Sequence, residues 1–190
     1  MVNNEIYVST DIETDGPIPG PHSMLSFASV AFDSYGNEIG RFSRNLETLH
    51  GAVGDPETMK WWETQQVARE HCRTNTVNPK QAMIDYVCWL KALPGKPVFV
   101  AYPAGFDWTF VYWYLIFFAK ESPFGFQSLD VKSYAMAVLR LPFTKTSKKT
   151  MPSSWFPKDV LHTHIAIDDA KEQGIVFMRA MLENNSDYET

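Results

Sequence analysis

Residues 5–14 read EIYVSTDIET, and this stretch decides the fold. Its first part, Glu5–Asp11, alternates in the β-rich manner of a strand. Two carboxylates, Asp11 and Glu13, stand at its carboxyl end. Because side chains two positions apart on a strand point to the same face, both acids are directed to one spot. The stretch therefore predicts a first strand that ends in a paired acidic site.

Strand and helix signals follow this stretch in an order typical of an α/β protein. The predicted strands are Met24–Phe32, Glu38–Leu46, Val98–Tyr102 and Phe126–Val131. The first predicted helix begins at Pro56 and includes Val67, and the second begins at Pro79 and includes Leu90. A third runs from about Ala104 to Lys120, a fourth ends at Leu139, and the last runs from near Ile165 to roughly Leu182. Asp55 and Asn78 each place a capping side chain before proline, which favours a helix start. We expect a single α/β domain over residues 1–190 with one mixed sheet.

The composition is that of a globular protein and limits its partners. Of 190 residues, 45% are hydrophobic and 21% are charged, which excludes wholesale disorder. The formal net charge of −5 argues against a protein that coats long nucleic acid, because phosphate neutralisation dominates such binding. It leaves open an enzyme that holds only a few nucleotides through bound metal.

Cysteine usage and apolar runs predict a soluble, cytoplasmic protein. Cys72 and Cys88 form neither a C-x-x-C pair nor a disulfide framework, so we expect reduced thiols. The residues from Met1 to Glu5 lack the basic start and apolar stretch of a signal peptide. The most apolar run, Phe106–Ala119, is shorter than the ~20 residues that a membrane span requires.

Acidic residues recur at the ends of three predicted elements. Asp11 and Glu13 end the first strand, Asp107 opens a helix after the central strand, and Asp168 and Asp169 lie in the first turn of the last helix. Ligand crevices of open α/β sheets lie at the carboxyl ends of strands. Four clustered carboxylates repel one another unless a divalent cation lies among them. Hard oxygen ligands predict Mg²⁺ or Mn²⁺ rather than zinc.

His164 lies five positions before Asp169 and just before the last predicted helix. A single histidine is more often structural than catalytic, and single acids at element ends often cap helices or face water. Beside a metal ligand, however, the imidazole could accept a proton from an attacking water. The combination of acids and histidine therefore favours a catalytic site.

Three segments resemble the motifs of the DEDDh exonuclease superfamily, which includes ribonuclease T, oligoribonuclease and the proofreading subunit of the bacterial replicase. Asp11-Ile12-Glu13-Thr14 resembles the first motif, D-x-E-T. The segment Tyr102–Asp107 looks like the second motif, and His164–Ala170 looks like the third, H-x-A-x-x-D-A. Position 165 is Ile, where the other subclass has Tyr, so the resemblance is to the histidine subclass.

A finer resemblance is to the mycobacterial-type 3'-5' exoribonucleases and phage exonuclease A. The segments Asp55–Trp62 and Ser23–Phe27 have recognisable counterparts in that branch. One departure is Asp15, which follows the first motif and leads into a proline-rich loop where the family often has Thr or Gly. This departure predicts that the entrance to the pocket for the 3' nucleotide differs from that of the family.

The superfamily resemblance implies a ribonuclease H-like mixed five-stranded sheet flanked by helices. It also implies removal of nucleoside 5'-monophosphates from a 3' end with two divalent metal ions, Mg²⁺ or Mn²⁺. Asp11, Glu13 and Asp169 would hold one ion, and Asp11 would bridge to the second. Asp107 would bind the second ion through water, and His164 would take the proton of the attacking water.

The branch resemblance implies RNA rather than DNA as the substrate. By family analogy, the substrate would contact Ile12, Thr14, Met24 and Phe106. Three alternatives stay open: a 3'-5' DNA exonuclease with the same site, a catalytically dead nucleic-acid-binding scaffold, and a metal phosphohydrolase of small nucleotides.

Aromatic and basic residues outside the motifs suggest further contacts. Trp61 and Trp62 could stack on a base or pack in the core. The helix predicted over 104–120 carries more aromatic residues than one core stripe needs, which suggests a homodimer surface. Lys145, Lys148 and Lys149 lie in a polar loop, Thr144–Pro157, predicted to be mobile, and could contact phosphate or face solvent.

Overall fold

The computed structural model of the protein describes residues 4–159 and 163–186 and contains a five-stranded sheet of order β3-β2-β1-β4-β5. The strands are β1 (Glu5–Thr14), β2 (Met24–Phe32), β3 (Glu38–Asn45), β4 (Lys96–Ala101) and β5 (Leu129–Asp130). The helices are α1 (Pro56–Trp62), α2 (Gln66–Cys72), α3 (Pro79–Lys91), α4 (Ala104–Tyr114), α5 (Val131–Leu139) and α6 (Ala166–Ser186). The mixed α/β sheet is therefore as predicted.

The position of β1 in the sheet explains why the acidic residues meet. β1 pairs with β2 antiparallel and with β4 parallel, so the carboxyl ends of β1 and β4 lie at the same edge. The pairing of β1 with β4 ends at Ser9 and Val100, after which the two strands separate. A cleft at this edge places Asp11 and Glu13 near the start of α4, which follows β4.

Helices cover both faces of the sheet, and alternation along β1 divides its side chains between them. Ile6, Val8 and Ile12 lie in a core cluster with residues of α3 and α4. Tyr7 belongs to the cluster on the opposite face, where α5 and α6 pack. The second face is the one toward which Asp11 and Glu13 point, since they share the odd positions of the strand.

The structure differs from the predicted elements in three places. The helix that begins at Pro56 ends at Trp62, and α2 follows as a separate helix. The aromatic helix leaves α-helical geometry after Tyr114 and continues as a π-helical segment, Leu115–Ala119. β5 has two residues rather than six, because only Leu129 and Asp130 pair with β4.

The loop predicted over Thr144–Pro157 is built from short 3-10 turns anchored to α6. Met151 and Trp155 are buried against that helix. The indole N–H of Trp155 donates to Glu183 Oε2 at 2.6 Å. Because the loop is mostly polar, its sequence did not indicate that these two apolar residues anchor it. The loop is therefore more ordered than predicted.

Two smaller expectations concern membranes and thiols. Within residues 4–159 and 163–186, no helix combines the length and the apolar character that crossing a bilayer requires. Cys72 is buried, Cys88 is exposed, and both are free thiols, as predicted. The cytoplasmic location stays a prediction.

Gly174 lets α6 approach the sheet closely. A Cβ atom at this position would lie 2.8 Å from Ser9 Cβ and would overlap the ring of Phe32. A larger residue would therefore push α6 away from β1 and β2. The absence of a side chain here helps to set the position of the helix that carries Asp169.

Gly174→Ala should lower the free energy of unfolding by ~1–3 kcal/mol, because overpacking outweighs the better helix propensity of alanine. Gly105→Ala is the matched control, since a Cβ on Gly105 would meet no atom within 4 Å. Urea unfolding of the metal-free variants measures both effects. A Gly174→Ala variant as stable as the wild type would show that α6 does not depend on this contact.

Candidate active site

The three motif segments meet at the carboxyl edge of β1. Asp11 and Glu13 are at the end of the strand, Asp107 is in the first turn of α4, and Asp169 is in the first turn of α6. Asp107 Oδ1 accepts the backbone N–H of Ile12 at 3.2 Å, which fixes α4 against β1. Glu13, Asp107 and Asp169 are buried, whereas Asp11 is partly exposed.

Asp169 holds the segment that carries His164. Its two carboxylate oxygens accept the backbone N–H groups of Thr163 at 3.0 Å and His164 at 3.1 Å. His164 has φ of 56°, a left-handed conformation that costs energy for a residue other than glycine. The two hydrogen bonds oppose that cost. Glu13, His164 and Asp169 consequently offer ligand atoms that all lie within 4.8 Å of one another.

Asp168, next to Asp169, has a different position. Its Oδ2 accepts the hydroxyl of Thr163 at 2.9 Å at the start of α6. A negative charge in the first turn of a helix is favourable, so we interpret Asp168 as a helix-terminus charge rather than as a metal ligand.

Burial and mutual repulsion make the carboxylates difficult to ionise together. Burial raises the pKa of Glu13 to about 8, and the charges of Asp169 and Asp107 add to that rise. Burial likewise raises the pKa of Asp107 to about 8. The pKa of Asp11 is well above its ordinary value, first because of burial and then because of Asp107, Glu13 and Asp169.

This arrangement fits a divalent cation bound by oxygen atoms. A cation among the four carboxylates would offset their repulsion and favour the ionised forms. Carboxylate oxygens are the ligands of Mg²⁺ and Mn²⁺, whereas zinc sites in proteins are usually built from histidine and cysteine. The structure thus brings together the donors that the sequence predicted, and their assignment as metal ligands stays a prediction.

The two adjacent tryptophans have different environments. Trp62 is fully buried, and its indole N–H donates to the carbonyl oxygen of Thr14 at 2.8 Å. Trp61 is 39% exposed, and its ring meets the imidazole of His164 edge-on, with 5.1 Å between centroids. Packing therefore accounts for Trp62, while Trp61 lines the mouth of the cleft.

The four residues predicted to contact substrate differ in their exposure to solvent. Ile12 and Met24 are buried in the core cluster that faces α3 and α4, and the contact of their side chains with substrate stays a prediction. Thr14 is buried as well, and its hydroxyl donates to the carbonyl oxygen of Gly16 at 3.0 Å. Phe106 is 39% exposed beside Asp107, and its role as a substrate contact stays a prediction.

Sequence reasoning did not separate Lys148 from its neighbours in the loop. The ammonium of Lys148 lies 2.5 Å from Glu172 Oε2 and 5.9 Å from the centroid of the Tyr102 ring. Its positive charge also lowers the pKa of Asp11, against the larger effects that raise it. No local pattern distinguishes Lys148, because its partner Glu172 lies 24 positions away along the chain.

The predicted aromatic helix leaves a groove of about 440 Å³ on its outer face. The lining residues are Pro19, Trp108, Thr109, Tyr112, Trp113, Ile116 and Phe117. Ile116 and Phe117 are exposed there. A homodimer through residues 104–120 stays a prediction.

Comparisons with known proteins give one relative over nearly the full length, although no family model matches the chain. The chain is 29% identical over 184 residues to the 3'-5' DNA exonuclease Cap18 of Escherichia coli. The match spans 92% of this chain and 91% of that protein.

Solved structures with a similar fold include several nucleases. The nuclease domain of 3'hExo, a DEDDh family member bound to rAMP, has a TM-score of 0.70 and 11% identity over 95% of this chain and 94% of that one. S. pombe Pop2p with Mg²⁺ and Mn²⁺ has a TM-score of 0.66 and 13% identity, over 96% and 84%. E. coli ExoI with ssDNA and zinc has a TM-score of 0.66 and 15% identity, over 98% of this chain but 43% of that one.

The sheet and its flanking helices match the ribonuclease H-like exonuclease fold, as predicted. With the Cap18 relative, these likenesses support an enzyme of the nuclease class, a hydrolase, whose fold is similar to that of a DEDDh family member. The mycobacterial and phage branch receives no support from them and stays a prediction.

The buried carboxylates predict that the metal-free protein is destabilised by alkali. Because the pKa of Glu13 rises from 4.5 to about 8 on folding, the folded state holds more protons than the unfolded state between those pH values. The free energy of unfolding must therefore fall as pH rises through this window. Glu13→Gln should remove this contribution and stabilise the metal-free protein at pH 8 by ~2–4 kcal/mol.

Thermal unfolding in EDTA at pH 5 and pH 8 measures the difference, and added Mg²⁺ should stabilise the wild type most at pH 8. Glu70→Gln, on the exposed surface of α2, is the control. Equal stability of Glu13→Gln and wild type at pH 8 would contradict the electrostatic account.

Proposed function

We propose that this protein is a metal-dependent 3'-5' exonuclease that releases nucleoside 5'-monophosphates by two-metal-ion hydrolysis. The observation that carries the proposal is the meeting of Asp11, Glu13, Asp107, Asp169 and His164 at one edge of a nuclease-type sheet. The four carboxylates would hold two Mg²⁺ or Mn²⁺ ions. When bound, such ions lower the pKa of water and stabilise charge on the attacking and leaving oxygens.

His164 would act as the general base. Its imidazole is close to Glu13 and Asp169, and its backbone is held by Asp169, which supports this role. A ring nitrogen of the neutral imidazole would accept the proton of the attacking water. The ring of Trp61 contacts the imidazole edge-on from the exposed side of the site.

Two observations bear on whether the substrate polymer is DNA or RNA, and they favour different polymers. The relative that matches this chain over 92% of its length is named a DNA exonuclease, which favours DNA. The RNA prediction depends on two short segments, Asp55–Trp62 and Ser23–Phe27, that resemble one branch. We propose single-stranded DNA as the preferred substrate, with RNA as the second candidate.

A catalytically dead scaffold explains the site less well. Buried carboxylates that raise one another's pKa cost stability, and a protein that only binds nucleic acid has no need of them. A small-nucleotide phosphohydrolase would use the same acids, so the polymer assay separates it from an exonuclease.

A gel time course with 5'-labelled single-stranded DNA and matched RNA tests the proposal. Each strand is incubated with Mg²⁺, Mn²⁺ or EDTA. A ladder that shortens from the 3' end only with metal is the expected result, and the faster strand identifies the polymer. The lack of a ladder with either strand would contradict the exonuclease assignment.

Asp11→Asn should abolish the ladder, because it removes a carboxylate that both metal ions would share. The variant should remain folded, since replacement of one of the four clustered acids by a neutral amide relieves their repulsion. Asp85→Asn is the control, since Asp85 lies on α3 and forms an ion pair with Arg44 of β3 rather than with a residue of the site. Wild-type turnover by Asp11→Asn would overturn the metal assignment.

His164→Ala should lower turnover by ~10²–10⁴ because it removes the general base. Its affinity for Mg²⁺, measured by calorimetry, should change little, because the carboxylates remain. Loss of Mg²⁺ binding with turnover retained would instead make His164 a metal ligand rather than a base.

A further inference from the structure

We propose that Lys148 is a phosphate-binding residue of the active site, where its ammonium contacts a phosphate oxygen of the bound strand next to Asp11. The inference rests on the proposed function, since it requires a nucleic-acid strand in the cleft. It goes further by naming a basic contact that lies outside all three motifs.

The position of Lys148 is set by local structure. It begins a 3-10 turn, Lys148–Thr150, that is closed by a capping box between Ser147 and Thr150. The backbone N–H of Ser147 donates to Thr150 Oγ1 at 2.9 Å. Thr146 before the turn and Met151 after it are both buried. The lysine is therefore presented from a fixed turn rather than from a mobile loop.

The ammonium lies between two segments that carry proposed metal ligands. Glu172, its ion-pair partner, is on α6 one turn after Asp169. Tyr102, whose ring lies below the ammonium, is just after β4 and five residues before Asp107. These contacts place the positive charge at the rim of the carboxylate cleft. The effect of that charge on Asp11 agrees with this position.

The ion pair leaves Lys148 able to bind a ligand. An ammonium has three N–H donors, and the bond to Glu172 uses one of them. The side chain is 37% exposed, so a strand entering the cleft can reach it. Lysine binds phosphate as a compact point charge, which suits a contact that is shared with a carboxylate.

A contact between Lys148 and phosphate would favour binding of a strand, because the cleft itself is acidic. A phosphodiester that approaches the cleft meets Asp11, Glu13, Asp107 and Asp169, all of which repel it when ionised. Bound metal ions would offset this repulsion at the reacting phosphate, and a fixed cation at the rim would add attraction from the protein itself.

The neighbouring lysines serve as matched controls. Lys145 and Lys149 are exposed, and neither forms an ion pair within the described parts of the chain. They share the loop and the charge of Lys148 but lack its contacts with α6 and Tyr102. The structure therefore singles out one of three lysines that the sequence could not distinguish.

The test is fluorescence anisotropy with a 5'-fluorescein single-stranded DNA, with Ca²⁺ in place of Mg²⁺ to limit hydrolysis, over a series of NaCl concentrations. Lys148→Met should weaken binding about tenfold, the effect of losing one hydrogen bond to a charged group. It should also reduce the slope of log K against log salt by about 0.7, the value for one phosphate contact on a single strand. Lys149→Met should bind like the wild type.

Glu172→Gln separates phosphate binding from a purely structural role. It weakens the ion pair but keeps the ammonium, so the salt slope should stay at the wild-type value. Equal loss of affinity in Glu172→Gln and Lys148→Met, with an unchanged slope in both, would overturn the proposal and make Lys148 a tether between the loop and α6.

Two further outcomes distinguish this proposal from the function on which it rests. If the wild type shortens the strand and Lys148→Met binds as tightly as the wild type, only the role of Lys148 is overturned. If the wild type neither binds nor shortens DNA or RNA, both proposals are overturned.

Discussion

The close packing of α6 against β1 is the constraint on which the site depends. Gly174 allows the approach, and the side chain of Gln173, which is buried, donates to the carbonyl oxygen of Thr10 at 2.7 Å. These contacts bring the first turn of the helix over the carboxyl end of the strand. Asp169 thereby comes close to Glu13 and at the same time holds the backbone of His164. A shift of the helix would disturb all three groups together.

The same packing places several carboxylates close together in a buried cleft, where their ionisation is unfavourable. Glu13, Asp107 and Asp169 are buried in one cleft, and the pKa values of Glu13 and Asp107 rise to about 8 because ionisation is costly there. Most of the surrounding core is apolar and lies on both faces of the sheet, which stabilises the fold independently of the cleft. Strain and repulsion of this kind are concentrated at functional sites, where bound ligands relieve them.

Much of the fold could be predicted because its signals are short in range. The carboxylate of Asp55 accepts the backbone N–H of Thr58, and the side-chain oxygen of Asn78 accepts that of Lys80, so both predicted helix starts were correct. β2 was predicted with its observed ends, because a turn and a proline-rich loop bound it. The predictions were wrong where an element depends on contacts with distant segments. The length of β5 is set only by its pairing with β4, and the burial of Trp155 depends on its contact with α6.

The sequence by itself determined which residues can form the candidate site: the acids and the histidine, their order along the chain, and the strand and helix ends that carry them. Only the tertiary structure decided which contacts the residues around them form. Ile12 is 95 positions before Asp107, yet its N–H binds that carboxylate while its side chain joins the core. Trp61 faces His164, whereas Trp62 is buried. Lys148 alone among the loop lysines meets Glu172. Such contacts follow from the packing of distant segments, whereas residue type and local periodicity act only over a few positions.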